Sequence, residues 1–288
     1  MTERGELLKN IWIRYTGQVK ERKKFPFKPF SKGEFVLKTT VFLLVVFSVY
    51  AFFIFDYKKI QVTVALADTL KNFQTMFLQP GFKHFNLSEA MYQVVMTLAL
   101  AYLTTLIGAV FALIFGLLAA RNLSHPYLAL AVKGFVAFIR AVPTIFWVLI
   151  FAVSVGLGSV AAVIGMSFHS LGYLIKAYAE SFDELDNGVI EALQSTGANW
   201  WQIVWQAVIP SSLTYLLSWT FLRFEINFMN AVAMGAAAGA GGIGFELYMS
   251  SHYFDLREAG FITYLILAVA FILEMFTMKA KARLLVKN

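Results

Sequence analysis

The stretch Glu191-Ala192-Leu193-Gln194-Ser195-Thr196-Gly197, with Ile209-Pro210 at its far end, decides how this chain folds. It is polar, yet it lies between two apolar spans. The surrounding segment 180–210 holds Glu180, Asp183, Glu184, Asp186 and Glu191 and no Lys or Arg. Asn187-Gly188 is a turn signal, and Val189, Ile190 and Leu193 follow it at helical spacing. Gly197 then ends a short helix. Trp200, Trp201 and Trp205 mark a second helix lying in the membrane interface, where Trp concentrates. Pro210 breaks the backbone before the next span. Such a segment is either an ordinary amphipathic linker or a docking surface. The lack of basic residues, unusual in a cytoplasmic loop, favours docking.

The 288 residues are 59% hydrophobic and 14% charged, whereas soluble domains carry about a quarter charged residues. There is too little polar surface to face water, so a bilayer is the solvent and the fold is all-α and polytopic. The chain has no cysteine, which excludes disulfides, thiol chemistry and Cys-based metal sites. The four His are scattered without ligand spacing, so no metal site is expected. No cleavable signal peptide is expected, because the first 35 residues are broken by charges. The net charge of +7 does not indicate nucleic acid, because the cations cluster at the ends. Residues 1–35 are rich in Lys and Arg, and the tail carries Lys279, Lys281, Arg283 and Lys287. The positive-inside rule places both termini in the cytoplasm, which requires an even number of crossings.

Six spans fit, at about 36–55, 91–119, 128–155, 159–179, 212–234 and 261–278. The expected organisation is a basic N-terminal segment (1–35), a first transmembrane helix with an external segment (36–89), and a transmembrane domain (90–288) containing the loop 180–210. A Gly-rich external loop follows the fifth span.

Ionisable groups inside spans cost about 2.5–3.5 kcal/mol each on insertion scales, so they pair or face water. Arg140, Arg223 and Glu225 lie deepest, while Lys133 and Lys176 snorkel from span ends. Arg223, Asn227 and Asn230 form one polar stripe, and Glu225 points away from Arg223 on the same helix. Lys133, Arg140 and Trp147 fall one heptad apart on a common face, and Pro143 kinks that span and frees a carbonyl. One reading pairs Glu225 with Arg140 or Arg223 across a helix or subunit interface, leaving the other cation for a substrate path. The alternative is internal pairing that only holds the helices in register. His169 reads as a hydrogen-bonded structural residue before a pathway residue. Gly239, Gly241, Gly242 and Gly244 formally match G-x-G-x-x-G. With no preceding strand or βαβ unit they read as close packing at the outer mouth of a path rather than a nucleotide site. No catalytic constellation is present, so the chain is not expected to be an enzyme.

The loop resembles the "EAA" loop of ABC-importer permeases, E-A-A-x-x-x-G followed by nine residues and I-x-L-P. Glu191, Ala192, Gly197 and Pro210 stand at the family spacing, with Leu193 at the third position. From about residue 90 onward the chain is similar to the methionine-permease-like fold, and within it to the phosphonate permease family. The resemblance rests on Arg140-Ala-Val-Pro143-Thr144, His169-Ser-Leu-Gly172, Arg223-Phe-Glu225-Ile-Asn227 and Gly239-Ala-Gly-Gly-Ile-Gly-Phe-Glu246. It departs at Met229, where the family pattern carries Arg.

The resemblance implies an ABC type I importer permease fold in a bacterial cytoplasmic (inner) membrane. It implies a second permease copy, identical or related, a dimer of ABC ATPase subunits and an extracytoplasmic binding protein. ATP and Mg would sit on the ATPases, with no cofactor in this subunit. Glu191, Ala192, Leu193, Gly197 and Pro210 would dock the ATPase. Arg140, Pro143, His169, Arg223, Glu225, Asn227 and Asn230 would belong to the path of a phosphonate- or phosphite-type anion. The rivals are a permease of the same fold for methionine, another amino acid or another oxyanion, and an ion-driven secondary transporter.

Overall fold

The computed structural model describes residues 31–54, 61–84, 86–253 and 255–285. The basic residues before Ser31, together with Lys58, Lys59 and Lys287, lie outside the described residues. All regular structure among the described residues is helical. Met1–Ala65 and Leu66–Asn288 form separate compact units. The first contains α1 (Lys32–Ile54), whose 23 residues reach about 35 Å at 1.5 Å per residue, enough to cross the hydrocarbon core. None of its residues is buried, as suits a helix solvated by lipid. Helix α2 (Val62–Leu78) runs across the boundary.

The second unit continues with α3 (Leu87–Ala119), α4 (Pro126–Ala141), α5 (Thr144–Val155), α6 (Ser159–Asp183), α7 (Asn187–Ser195), α8 (Trp200–Ile203), α9 (Ile209–Ala238), α10 (Ile243–His252) and α11 (Leu256–Leu285). Among the described residues four helices, α1, α3, α6 and α11, are long and apolar enough to cross a membrane. Two bent pairs, α4 with α5 and α8–α9 with α10, bring the number to six if each is one span.

Helix α3 starts at a reciprocal cap: the Glu89 N–H donates to Asn86 Oδ1 and the Asn86 N–H donates to Glu89 Oε2, both at 3.0 Å. Its 33 residues give about 50 Å of helix, which favours tilt in a core of about 30 Å. Small residues let α3 lie against α6. A Cβ on Gly108 would sit 2.9 Å from the Ser170 Cβ. Lipid offers no hydrophobic drive for helices to associate, so such close van der Waals contact is what joins them. The same holds for α6 against α5, where a Cβ on Gly165 would sit 2.5 Å from the Val148 backbone.

Two buried apolar clusters result among the described residues. One joins Val94, Val148, Met166, Phe228, Ile243 and Ile262. The other joins Ala112, Leu174, Tyr178, Phe182, Val204 and Leu216.

Two expectations need correction. Pro143 does more than kink a span: α4 and α5 meet at 88°. The heptad face of Lys133, Arg140 and Trp147 therefore does not persist. Trp147 instead turns back, and its Nε1–H donates to the Ile139 carbonyl at 3.0 Å. That is the carbonyl four residues before Pro143, the one a proline leaves without a donor. Pro210, in turn, does not break the chain. A π-helical turn over Val204–Val208 carries α8 into α9, and the wider turn accommodates the proline at the start of α9.

Within the second unit, segment 66–84 also gains a place. Tyr264 donates its hydroxyl to the Phe77 carbonyl at 2.7 Å, the Gly81 N–H donates to the Arg257 carbonyl at 3.2 Å, and Gly260 leaves room for the Met76 carbonyl. The end of α2 and the following turn thus pack on the start of α11.

Gly165→Val is expected to lower the stability of the purified protein by about 1–3 kcal/mol through overpacking against Val148. Gly134→Ala, where an added Cβ meets nothing within 4 Å, should leave thermal unfolding in detergent unchanged or slightly raised.

Candidate functional site: a buried polar layer and an exposed loop helix

A polar layer lies between the two apolar clusters, where α3, α6 and α9 meet. It is built from Thr105, Ser170, Arg223 and Asn227. Asn227 is fully buried, and Arg223 is 2% exposed. Asn227 Nδ2 donates to Thr105 Oγ1 at 2.8 Å, and Thr105 passes its own proton to the Ala101 carbonyl at 2.7 Å. Ser170 Oγ and the Asn227 amide lie within hydrogen-bond reach at 2.8 and 3.1 Å. Arg223 Nε donates to Ser170 Oγ at 3.1 Å.

The remaining contacts of Arg223 define the imidazole beside it. Its Nη2 lies 2.9 Å from His169 Nδ1. A guanidinium has donors only, so Nδ1 accepts and His169 is neutral with its proton on Nε2. The guanidinium also sits 5.1 Å from the centre of the Tyr173 ring, a cation–π contact. Among the described residues Arg223 has no carboxylate partner. It keeps its charge inside the protein on neutral groups alone.

The sequence put Arg223 and Asn227 on one stripe and read His169 separately as a hydrogen-bonded residue; in the structure His169 lies beside Arg223. Asn230 lies further along the same stripe and is half-buried. Within the chain neither Arg223 nor Arg140 forms a salt bridge with half-buried Glu225; Arg223 is turned inward toward α6 instead. Arg140 is exposed, and its stem packs against Gly172 of α6. Ser170, Thr105 and Tyr173 were missed. Hydroxyl residues inside apolar helices usually bond their own helix, so nothing local marks the ones that reach across.

The Gly-rich segment closes the far end of α9. Gly239 caps the helix in the left-handed conformation, with φ of 62°. Gly241 and Gly242 also have positive φ, of 81° and 75°. The Ile243 N–H donates to Thr97 Oγ1 at 2.9 Å, pinning the turn to α3. Gly244 packs directly on the Val232 carbonyl of α9.

The polar loop forms α7. Asp186 caps it by accepting from the Gly188 N–H at 2.9 Å. Ile190 is buried and Leu193 half-buried, while Glu191, Ala192, Gln194 and Ser195 are exposed. Gly197, with φ of 85°, turns the chain out of the helix. Asn199 and Gln202 then form a capping box on α8. Trp200 donates its Nε1–H to the Leu123 carbonyl at 2.9 Å, so it faces the protein, whereas Trp201 and Trp205 are exposed. Lys133 does not merely snorkel: it pairs with Asp183 at 3.3 Å, and the Arg121 N–H donates to the same carboxylate at 2.6 Å.

A second charged cluster lies at the start of α11. His84 Nδ1 meets Glu258 at 2.9 Å, Lys83 meets Asp255 at 3.2 Å, and Glu258 is 1% exposed. The donor atoms of His84, Asp255 and Glu258 lie within 4.8 Å of one another, a set that spacing along the chain did not reveal. Lys83 meets Asp255, and Glu258 is met by the backbone N–H and the imidazole of His84.

Residues 112–287 match the family model for "Binding-protein-dependent transport system inner membrane component". The chain is 32% identical over 189 residues to a phosphate-import permease protein, PhnE, of Mycolicibacterium smegmatis, covering 65% of this chain and 35% of that protein. It is 33% identical over 182 residues to a phosphite transport system permease protein, PtxC, of Stutzerimonas stutzeri, covering 63% of this chain and 66% of that one. The match therefore spans about a third of the first relative's length and about two thirds of the second's. The fold is similar to a chain of the MetNI methionine ABC transporter in an inward-facing conformation. There the TM-score is 0.60 at 22% identity, over 68% of this chain and 95% of that one.

Asn227→Leu is expected to cost about 1–3 kcal/mol, because Ser170 and Thr105 lose a buried partner. Arg223→Lys should not preserve function in transport assays, because one ammonium cannot bond Ser170 and His169 while stacking on Tyr173.

Proposed function

The chain belongs to the family of binding-protein-dependent transport system inner membrane components, and from that premise we propose that it is the permease subunit of an ABC importer for phosphonate- or phosphite-type anions. The observation that carries this reading is α7: a capped, amphipathic helix whose Glu191 face is exposed while Ile190 anchors it. It leaves the bundle directly after α6, so force on it is passed into the helix that holds His169 and Ser170. In this reading α7 docks in an ATPase subunit, with Ala192, Leu193 and Gly197 shaping the contact and Pro210 starting the helix behind it. The permease performs no bond chemistry; ATP and Mg act on the ATPases.

Two permease copies, alike or related, enclose the path, and an extracytoplasmic binding protein delivers the anion. Both termini and α7 then lie on the cytoplasmic side of a bacterial inner membrane. Exposed Arg140 and Pro143 at the α4–α5 break, and half-buried Glu225 and Asn230, are positioned to meet the path or the second copy. The positive field of Arg140 and Arg223 favours an anion, held weakly enough to leave. The loop of Gly239, Gly241, Gly242 and Gly244 serves as the outer gate. The names of the two relatives point to phosphorus oxyanions. Likeness to the methionine transporter in fold makes methionine the second substrate to test.

ATP hydrolysis by the chain reconstituted with its ATPase and binding protein should rise with methylphosphonate, 2-aminoethylphosphonate or phosphite. Stimulation by methionine alone would overturn the substrate assignment. Glu191→Arg and Gly197→Asp should insert normally yet lose coupled uptake by roughly tenfold, the scale of about 1.4 kcal/mol of coupling. Normal uptake by both would remove the docking role of α7.

A further inference from the structure

We propose that a basic cavity at the α7 end of the bundle, between α3, α4 and α6, binds a phosphate-bearing anionic group. The cavity has a volume of about 290 Å³, near the lower limit of about 300 Å³ for small-molecule clefts. Ala119, Ala137 and Ala179 line it, and these short side chains leave the space open. Its charged lining is Arg121, Lys133, Arg140 and Lys176, against the single carboxylate of Glu180.

The carboxylates nearby are already engaged. Asp183 accepts from Lys133 and the Arg121 N–H, and Glu180 pairs with Lys176 at 3.5 Å. Among the described residues the guanidiniums of Arg121 and Arg140 form no ion pair. Two guanidiniums beside two lysines give a site of positive sign, and the guanidinium fork matches an oxyanion. With the α7 end on the cytoplasmic side, the orientation proposed above on which this step rests, the cavity is a basic pocket between membrane helices of the kind that suits anionic lipid headgroups. Phe135 and Phe138, exposed on α4, offer an apolar surface on the same helix for acyl chains. A free oxyanion presents the same chemistry. The inference does not depend on which solute is transported.

The test is native mass spectrometry of the detergent-purified permease complex with phosphatidylglycerol or phosphatidylcholine, with and without excess inorganic phosphate. The expected result is selective retention of phosphatidylglycerol, lost several-fold in R121Q/R140Q and kept in R121K/R140K. Retention resistant to phosphate identifies the lipid headgroup as the source; displacement by phosphate, or phosphate adducts that need both arginines, identifies a free oxyanion. The Lys variant and the wild-type lipid comparison stand even where the Gln variant fails to fold. Equal retention of both lipids with no phosphate binding overturns the proposal, as does undiminished retention by a folded R121Q/R140Q.

Discussion

The hydrogen bonds among Thr105, Ser170, Arg223 and Asn227 hold α3, α6 and α9 in one register. Apolar contact alone leaves membrane helices free to slide, because lipid tails are as apolar as the side chains they replace. A polar layer removes that freedom. Any slip of one helix leaves a buried amide or guanidinium without a partner, at the cost of desolvation. The small residues of α3 and α6 are the other half of the constraint, since Gly108 lets those two helices close enough for Asn227 to bond Thr105 of one and Ser170 of the other.

The same layer lies on the two helices that carry the exposed loop helices. His169 and Ser170 stand on α6, and α6 leads through Asp183 to α7. Arg223 and Asn227 stand on α9, which the π-helical turn joins to α8. The exposed loop helices are thus extensions of the two elements that share the buried charge. Arg223 holds its place in this layer through neutral partners, Ser170, His169 and the Tyr173 ring.

The chain's own pattern made much of this legible. Apolar runs of about twenty residues and the low charge marked the membrane helices, because a lipid solvent demands continuous hydrophobicity. Asn187-Gly188 and Gly197 framed α7 correctly, because turn and cap chemistry are local. Arg223 and Asn227 were visible as a stripe because their spacing follows the helical period. The helix within 62–78 and the 88° break after Ala141 were not read in full. The first is amphiphilic and short, and the second depends on Trp147 folding back to the carbonyl left by Pro143.

The sequence by itself determined the solvent, the helical class and the exposed loop, since each follows from composition or near-neighbour chemistry. Tertiary structure decided which charges meet. It turned Arg223 toward His169 and Ser170 rather than Glu225, gave Asp183 to Lys133, and gathered Arg121, Arg140 and Lys176 around one cavity. Those pairings join residues tens of positions apart. They are set by how closely small residues let helices approach, which no local pattern records.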